Sequence, residues 1–345
     1  MPPTTAVSFV LLISLILTAV RGRHAAFVSN PHYAKLCMTR LYSEPSLMDC
    51  MSAACSQALG TGVVLEPTSA SGAAAGGGGA SVGAAVDKVS GTKYFIKSAP
   101  AARYGTMLRA EYLGVREMAN TNTIKVPTPI AYGQGGPLNT AFVVFEYLEM
   151  SLGGSAYELG QNLAQMHRFS SNITQFGFHV DNTIGATPQP NPWTDDWADF
   201  WEQHRLGHML GLLDNLGYSD KDVATLKAVT RQFLSHKPSP SLIHGDLWGG
   251  NKGYCRIDGA NVPVIFDPAT YYGDREADVA MTGLFGGFGP DFYKGYESVW
   301  PLESGHEERK QIYNLYHIMN HVVLFGGGYR AQARGMMEEI MRFKT

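Results

Sequence analysis

Apolar and polar residues alternate along the first part of the chain and recur with a helical period along the rest. Residues 92–97 alternate and are rich in aromatic and β-branched side chains, which predicts a strand. Residues 130–132 and 141–145 predict two more strands, and residues 47–59 and 107–119 are compatible with helices. The helical period then predicts helices over residues 155–168, 194–214, 219–235, 275–284, 307–324 and 329–342.

Two short apolar runs, residues 241–244 and 262–266, interrupt the helical part, and a polar or charged cluster accompanies each of them. A β-rich first part, a helical second part and polar clusters at strand ends indicate a cleft between two lobes. We therefore predict a bilobal α+β fold. A small antiparallel sheet with a helix occupies residues 46–148, and a mainly helical lobe occupies residues 149–345.

Residues 1–45 are predicted to be a targeting presequence. Val7–Val20 is a mostly apolar run that suits the core of a signal peptide and is too short to span a bilayer comfortably. Residues 1–43 carry four basic and no acidic side chains, and the rest of the chain has a net charge of −7. The segment that starts at residues 25–27 (AAF) resembles the second half of a bipartite plastid presequence of algae with secondary plastids. An ordinary secretory signal is the alternative.

Composition narrows the class of protein. The chain has 345 residues, 45% of them apolar and 17% charged, which suits a globular protein of more than one core. The net charge is −3 and no basic block occurs, which argues against nucleic acid as a partner. The four cysteines are too scattered for a disulfide scaffold or a four-ligand zinc site.

The densest group of candidate catalytic residues follows the apolar run at 241–244. Asp246 is followed five positions later by Asn251, and the second apolar run leads to Asp267. Mg²⁺ prefers oxygen ligands, and one carboxylate plus one amide is a typical protein contribution. A second carboxylate nearby can accept or orient a hydroxyl proton. Each residue alone is an ordinary turn former, but their spacing predicts one catalytic site.

A lysine and a glutamate are predicted to face the same cleft. Lys97 closes the strand at 92–97, and Glu111 lies within the next helix. A strand lysine that points into a cleft needs a carboxylate to hold its ammonium group. The glycines before this strand, residues 76–79, can expose backbone N–H groups to phosphate oxygens. The alternative for Lys97 is a solvated residue at the edge of the sheet, and the alternative for Glu111 is a charge on the helix surface. The alternative for the glycine segment is a flexible linker.

The order of these features along the chain is that of protein-kinase-like phosphotransferases: a Gly-rich turn, a strand lysine, a helix glutamate, an Asp-x₄-Asn loop and a later aspartate. The loop at 244–246 (HGD) resembles that of the aminoglycoside and choline kinase branch. Residues 145–148 then fall at the hinge between the lobes, where backbone groups contact adenine. The predicted nucleotide-binding residues are Gly77, Gly78, Gly79, Lys97, Glu111, Glu146, Tyr147 and Leu148.

Longer motifs narrow the resemblance to one family. Over roughly residues 60–343 the chain resembles the fructosamine-3-kinase family, which includes ketosamine and ribulosamine kinases. Agreement over so many separated segments does not arise by chance. The motifs lie at residues 125–129 (KVPTP), 159–167 (LGQNLAQMH), 176–179 (FGFH), 182–185 (NTIG), 193–197 (WTDDW), 244–251 (HGDLWGGN), 267–269 (DPA), 272–276 (YGDRE) and 285–288 (FGGF).

The resemblance implies ATP-dependent phosphorylation of the 3-hydroxyl of a ketoamine sugar on a lysine amine. The product is unstable and frees the amine, so the reaction repairs glycated protein. Ribulosamine and erythrulosamine are the expected sugars, with fructosamine as a further candidate. Carried onto this chain, Asp246 is the catalytic base or the group that orients the hydroxyl, and Asn251 and Asp267 hold Mg²⁺. Lys97 grips the ATP phosphates, and Glu111 positions Lys97.

The resemblance also implies supporting residues. Asp278 resembles the buried aspartate that braces the backbone of the catalytic loop, and His244 is expected to support the same loop. Four residues are predicted to line the substrate pocket: Trp248, Asp196, Trp197 and His204. For the aromatic members, a place in the hydrophobic core is the alternative.

The implied partners are ATP and glycated proteins or free ketoamine–lysine adducts, with no membrane bound by the mature chain. Monomer and homodimer both stay open. A kinase for an amino sugar or an aminoalcohol is a second hypothesis. A nucleotide-binding pseudokinase scaffold is a third, but the expected loss of Lys97, Asp246, Asn251 or Asp267 is not found.

Overall fold

The amino-terminal lobe is an antiparallel sheet with a helix on each face. The computed structural model describes residues 44–68, 74–75, 79–169 and 172–343. The strands of the sheet lie in the order β1-β3-β4-β6-β5, and β2 pairs with β3. The elements of this lobe are α1 (Leu47–Leu59), β1 (Leu65–Pro67), β2 (Ala74–Ala75), β3 (Ser81–Asp87), β4 (Lys93–Pro100), α2 (Ala101–Asn120), β5 (Pro129–Gly135) and β6 (Thr140–Glu146).

Strand β6 shows why this sheet needs two helices. Successive side chains of a strand point to opposite faces of the sheet, and in β6 the side chains on both faces are buried. Phe142 and Val144 belong to a small core that α1 covers, whereas Val143 and Phe145 belong to the main core with α2. The continuous apolar run of β6 therefore fits a strand that is covered on both faces.

The carboxy-terminal lobe is mainly helical and carries three small antiparallel sheets, β12-β11-β7, β10-β13 and β8-β9. Its elements are β7 (Met150–Ser151), α3 (Ala156–Arg168), β8 (Asn182–Ile184), β9 (Thr187–Gln189), α4 (Trp197–Trp201), α5 (Gly207–Leu212), α6 (Asp220–Phe233), β10 (Ser241–Ile243), β11 (Lys252–Ile257), β12 (Ala260–Ile265), β13 (Tyr271–Gly273), α7 (Glu276–Leu284), α8 (Pro290–Val299), α9 (His306–Phe325) and α10 (Gly328–Ile340).

The bilobal α+β prediction is confirmed, and several element predictions need correction. Helix α2 starts at Ala101 rather than at residue 107. The predicted helix over 194–214 is broken into α4, a π-helical turn at Glu202–Leu206 and α5. In the π-helical turn the Gly207 N–H donates to the Glu202 carbonyl, a wider turn that the spacing of apolar residues does not reveal.

Helix α8 was not predicted, because its stability depends on contact with α3. The two helices cross closely at Gly160 and Gly295. A Cβ atom at Gly160 would collide with the carbonyl oxygen of Phe292, and one at Gly295 would collide with that of Tyr157. A central glycine disfavours a helix by about 1 kcal/mol relative to alanine, so the sequence alone argues against α8.

Two sequence predictions fall outside the described residues: residues 1–43 of the presequence predicted over residues 1–45, and the phosphate contacts of Gly77 and Gly78. In the part of the chain that the structure describes, no helix combines the length and the apolar character that a membrane span requires.

Candidate active site

A buried ion-pair cluster joins the sheet lobe to the loop after β12. Lys97 lies on the central strand β4 and is 9% exposed. Its Nζ is 2.7 Å from Glu111 Oε1 on α2 and 2.5 Å from Asp267 Oδ1. Burial acts to lower the pKa of Lys97, but the two carboxylates outweigh it and raise that pKa. Lys97 is therefore an ammonium ion at neutral pH, and the predicted Lys97–Glu111 pair is present.

A buried carboxylate fixes the backbone of the loop after β10, which we call the catalytic loop (residues 244–251). Asp278 on α7 is 1% exposed and accepts hydrogen bonds from the backbone N–H of His244 (2.7 Å) and of Gly245 (2.8 Å). The His167 ring bonds the same carboxylate at 3.1 Å. Burial acts to raise the pKa of Asp278, but the hydrogen bonds and positive potential outweigh it and lower that pKa. The geometry is that of a brace for the loop.

His244 connects the catalytic loop to the loop that carries Asp267. Its Nε2 lies 2.9 Å from the carbonyl oxygen of Phe266, and its Nδ1 accepts from the Asp246 backbone N–H at 3.3 Å. Burial lowers the pKa of His244, which favours the neutral ring with its proton on Nε2. The side chain thus holds Asp246 and Asp267 on two fixed loops.

Asp246 and Asn251 meet at the end of the catalytic loop. Asn251 Nδ2 donates to the Asp246 carbonyl (2.9 Å), to Asp246 Oδ2 (3.2 Å) and to the Asp267 carbonyl (3.3 Å). Burial, with the neighbouring carboxylate of Asp267, raises the pKa of Asp246 to about 7, and the bond from Asn251 opposes the rise. A carboxylate that titrates near neutral pH is suited to general base catalysis.

Asp267 has a left-handed backbone, with φ of 62°, which is uncommon for a residue with a side chain. Its side chain is 43% exposed, far more open than that of Lys97. Asp267 and Asn251 together supply carboxylate and amide oxygens on neighbouring loops. This donor set fits Mg²⁺, which binds one or two carboxylates and keeps several waters.

One cavity of about 710 Å³ receives residues from both lobes. Gly79 and Glu111 line it from the sheet lobe, and Asp246, Asn251 and Asp267 line it from the helical lobe. Trp248 also lines it and is 42% exposed. The structure therefore brings the predicted catalytic and metal-binding residues to one cavity, with Lys97 bonded to two of the carboxylates in its wall.

Three of the four predicted substrate residues lie outside this cavity. Trp197 is 2% exposed, donates from Nε1 to Tyr313 Oη at 3.0 Å and belongs to the aromatic core. Asp196 caps α4 by accepting from the Asp199 N–H at 2.9 Å. His204 packs on Phe200 in the segment after α4. None of the three lines the cavity of Asp246, because the segment after residue 193 turns its rings into the core.

The hinge prediction receives no direct support from the cavity. Glu146, Tyr147 and Leu148 are not among the described residues that line it. The Glu146 carboxylate instead accepts from Lys125 Nζ (2.6 Å), from Thr128 N (3.0 Å) and from Thr128 Oγ1 (2.6 Å). These bonds fix the end of β6, and the adenine contact stays a prediction.

A second group of possible metal ligands, His236, Asp274 and Glu276, lies away from the cavity. The Glu276 carboxylate already accepts hydrogen bonds from Arg309 Nε (2.7 Å) and from Arg309 Nη2 (3.0 Å). The Asp274 carboxylate accepts hydrogen bonds from the Tyr313 hydroxyl (2.5 Å) and from His236 Nε2 (2.9 Å). Because protein donors occupy these carboxylates, the group is an internal hydrogen-bond network.

The sequence interpretation missed several residues in and below the site. His167 belongs to the motif at residues 159–167 but was assigned no role from the sequence. In the structure it bonds to Asp278, which braces the catalytic loop. Among the described cavity residues that were assigned no role, five are polar or aromatic side chains of the carboxy-terminal part of the chain. They are Phe285, Asn320, His321, Phe325 and Tyr329. In the sequence, glycines follow Phe285 and Phe325, and they could have indicated irregular backbone at this side of the cavity.

A lysine–glutamate pair, a braced HGD loop and a second carboxylate meet between a sheet lobe and a helical lobe. This fold and site define a phosphotransferase of protein-kinase-like architecture. The model of the family described as "Fructosamine kinase" matches residues 51–343. The chain therefore belongs to the fructosamine kinase family.

Related proteins are similar over most of the chain. A Synechocystis protein named "Probable ketoamine kinase" is 49% identical over 253 residues, which cover 72% of this chain and 83% of the relative. The rice "Protein-ribulosamine 3-kinase, chloroplastic" is 38% identical over 284 residues, covering 80% and 81%. The crystal structure named "Putative fructosamine-3-kinase" from Haemophilus somnus matches with a TM-score of 0.71 and 28% identity, covering 84% of this chain and 96% of that one.

Proposed function

We propose that the protein transfers the γ-phosphoryl group of ATP to the 3-hydroxyl of ketosamines carried on lysine side chains. Ribulosamine and erythrulosamine adducts are the primary substrates in this proposal, and fructosamine adducts are the secondary ones. The unstable 3-phosphate then releases the lysine amine, so the reaction repairs glycated protein. The observation that carries the proposal is the convergence of Asp246, Asn251, Asp267 and the Lys97–Glu111 pair at one cavity.

In the proposed mechanism, Asp246 accepts or orients the proton of the 3-hydroxyl. Its pKa of about 7 supports this role, because the carboxylate is substantially ionised at neutral pH and still basic enough to take a proton. Asp278 and His244 keep the loop in place through their bonds to its backbone. Their contribution is preorganisation rather than contact with the sugar.

Nucleotide binding is assigned to residues of both lobes. Lys97 holds phosphate oxygens, and Glu111 keeps its ammonium group in position. Asn251 and Asp267 hold Mg²⁺, which neutralises charge on the phosphates when bound. The backbone of Gly77, Gly78 and Gly79 is proposed to cover the phosphates, and that of residues 146–148 to contact adenine. The lining position of Gly79 supports the first of these contacts.

Trp248 is the proposed contact for the sugar. It lies two residues after Asp246, lines the same cavity and is partly exposed. The apolar face of a sugar can stack on such a ring while its hydroxyls bond to polar neighbours.

Purified protein should be assayed for ATP consumption with erythrulosamine, ribulosamine and fructosamine adducts of an Nα-blocked lysine. Choline and aminoglycosides provide the comparison, and mass spectrometry should detect the phosphorylated adduct and the freed lysine. Turnover of the ketosamines would support the proposal. Turnover of choline or aminoglycosides alone would replace it with the small-molecule kinase hypothesis, and nucleotide binding without any turnover would favour the pseudokinase.

We also propose a plastid location, in which residues 1–45 direct the chain. The apolar run, the acid-free segment that follows it and the rice relative named as chloroplastic support this assignment. A fusion of residues 1–45 to a fluorescent protein, expressed in an alga with a secondary plastid, tests it. Fluorescence in the secretory pathway rather than the plastid would contradict the assignment.

A further inference from the structure

Four aromatic rings form one wall of the active-site cavity, which we call the aromatic wall: Phe285, His321, Phe325 and Tyr329. The His321 ring is central. Its centroid lies 4.8 Å from that of Phe285, 5.4 Å from that of Phe325 and 4.9 Å from that of Tyr329. Phe285 is 39% exposed and Phe325 is 67% exposed. The wall therefore presents aromatic surface to the cavity that the protein itself leaves open.

Irregular backbone places this wall beside the catalytic loop. Gly326 and Gly327, with φ of 62° and 58°, form the turn between α9 and α10 that brings Phe325 and Tyr329 together. On the other side, Gly286 and Gly287 pack directly on Gly249 of the catalytic loop, where a Cβ atom would lie 2.9 Å from the Gly286 carbonyl oxygen. The wall is thus anchored next to Trp248 and Asp246.

The charge of the cavity favours a cationic ligand. Glu111, Asp246 and Asp267 line it, and none of the described lining residues is a lysine or an arginine. Lys97 is already paired with two of these carboxylates. The carboxylates that line the cavity and the aromatic rings of the wall both attract a positive charge.

The polar groups at the wall are hydrogen-bond acceptors. Asn320 lines the cavity but is 3% exposed, and its Oδ1 is buried without a hydrogen-bond partner among the described residues, so this oxygen is not open to a ligand. The His321 Nδ1 lies 2.8 Å from the carbonyl oxygen of His317 and donates to it, which leaves Nε2 as an acceptor. A ligand that bonds to His321 Nε2 must bring an N–H or O–H donor.

We propose that the aromatic wall binds the alkylammonium arm of the substrate, that is, the secondary amine of the ketosamine and the lysine methylenes attached to it. This inference rests on the proposed ketosamine kinase function and assigns the amine half of the substrate. The sugar faces Asp246 and Trp248, and the ammonium lies against the rings of Phe325 and Tyr329 and the acceptor of His321. A neutral acceptor of the same length lacks both the charge and the N–H donors.

The test compares two acceptors with each variant. One is the ribulosamine adduct of Nα-acetyl-lysine amide, and the other is a ribulose 1-O-alkyl ether of equal length, in which oxygen replaces the secondary amine. The measured quantity is the ratio of their kcat/KM values. Phe325→Leu and Tyr329→Leu keep apolar bulk and remove a ring face. Val323→Ala is the control, because this α9 side chain is 36% exposed and is not among the described residues that line the cavity.

Each ring variant should reduce the preference for the ammonium substrate about fivefold, as expected for loss of one cation–π contact at an exposed site. Val323→Ala should leave the ratio unchanged. If the wild-type protein turns over the adduct and the ratio is unchanged in both ring variants, the aromatic wall is not the ammonium site. If the wild-type protein turns over neither acceptor, the proposed function itself fails. Thermal unfolding of each variant checks that the fold is intact.

Discussion

Lys97 Nζ and Asp267 Oδ1 lie 2.5 Å apart, so a residue of the central strand β4 is paired with a residue of the loop after β12. Lys97 also keeps Glu111 at 2.7 Å, whereas the Asp267 side chain is considerably more exposed. Asp267 is thus the member of the cluster that is free to change partner. We expect Lys97 to turn towards phosphate oxygens and Asp267 towards Mg²⁺ when the nucleotide binds, because each then gains an opposite charge.

Replacement of Asp267 should impair nucleotide binding more than it impairs chemistry. Asp267→Ala removes the carboxylate proposed to hold Mg²⁺, and we expect the dissociation constant of Mg·ATP to rise at least about tenfold. Titration calorimetry with a non-hydrolysable ATP analogue, with and without Mg²⁺, measures the effect. Binding without Mg²⁺ should change much less. Equal losses under both conditions would contradict the metal role.

Replacement of Asp246 should have the opposite signature. Asp246→Asn keeps the shape of the side chain but removes the base, and we expect kcat to fall about 10²- to 10⁴-fold while the affinity for ATP persists. Steady-state kinetics and nucleotide titration on the same preparation separate the two effects. If Asp246→Asn and Asp267→Ala showed equal and modest effects on both quantities, the assigned roles would be wrong.

The rate should depend on pH through Asp246. Its pKa is raised to about 7 by burial and by Asp267, and only the ionised form can accept the proton. We therefore expect kcat/KM to fall about tenfold per pH unit below the pKa and to level off above it. A profile from pH 5.5 to 8.5 checks this. Asp246→Asn should lose the inflection, and an inflection that persists in this variant would assign it to another group.

The brace under the catalytic loop should contribute to stability as well as to rate. Asp278→Ala leaves the backbone N–H groups of His244 and Gly245 buried without their acceptor, at a cost of about 1–3 kcal/mol each. Urea unfolding should show a loss of at least about 2 kcal/mol, accompanied by a large decrease in kcat. Asp291→Ala provides the control, because that carboxylate is exposed and its ion pair in the described part of the chain is with exposed Lys294. An unchanged midpoint for Asp278→Ala would contradict the brace.

Local patterns predicted the elements that are stabilised locally. Residues 47–59 were found compatible with a helix, and α1 has these bounds; in the structure Ser46 and Asp49 form a capping box at its start. Strand β4 was predicted from its alternation, although it extends to Pro100. Helix α8 could not be predicted, since its central glycine is favourable only where α3 lies against it.

The same distinction applies to the site. The spacing of Asp246, Asn251 and Asp267 in the sequence was sufficient to predict that they share one cavity. Asp246 follows β10, Asp267 follows β12, and Asn251 lies at the end of the loop that joins β10 to β11. The assignment of Trp197 to the substrate pocket was wrong, because an aromatic residue in a motif gives no indication of which face of its helix is buried.

The sequence by itself determined the family, the two lobes and the candidate reactive side chains, since these depend on residue identity and on order along the chain. The tertiary structure alone decided that Asp246 is buried enough to titrate near neutral pH, and that Phe285 and Phe325 share a cavity with it. Both results depend on the dielectric environment and on distances between residues far apart in sequence. Such properties arise only when the lobes and helices pack, and no local pattern encodes them.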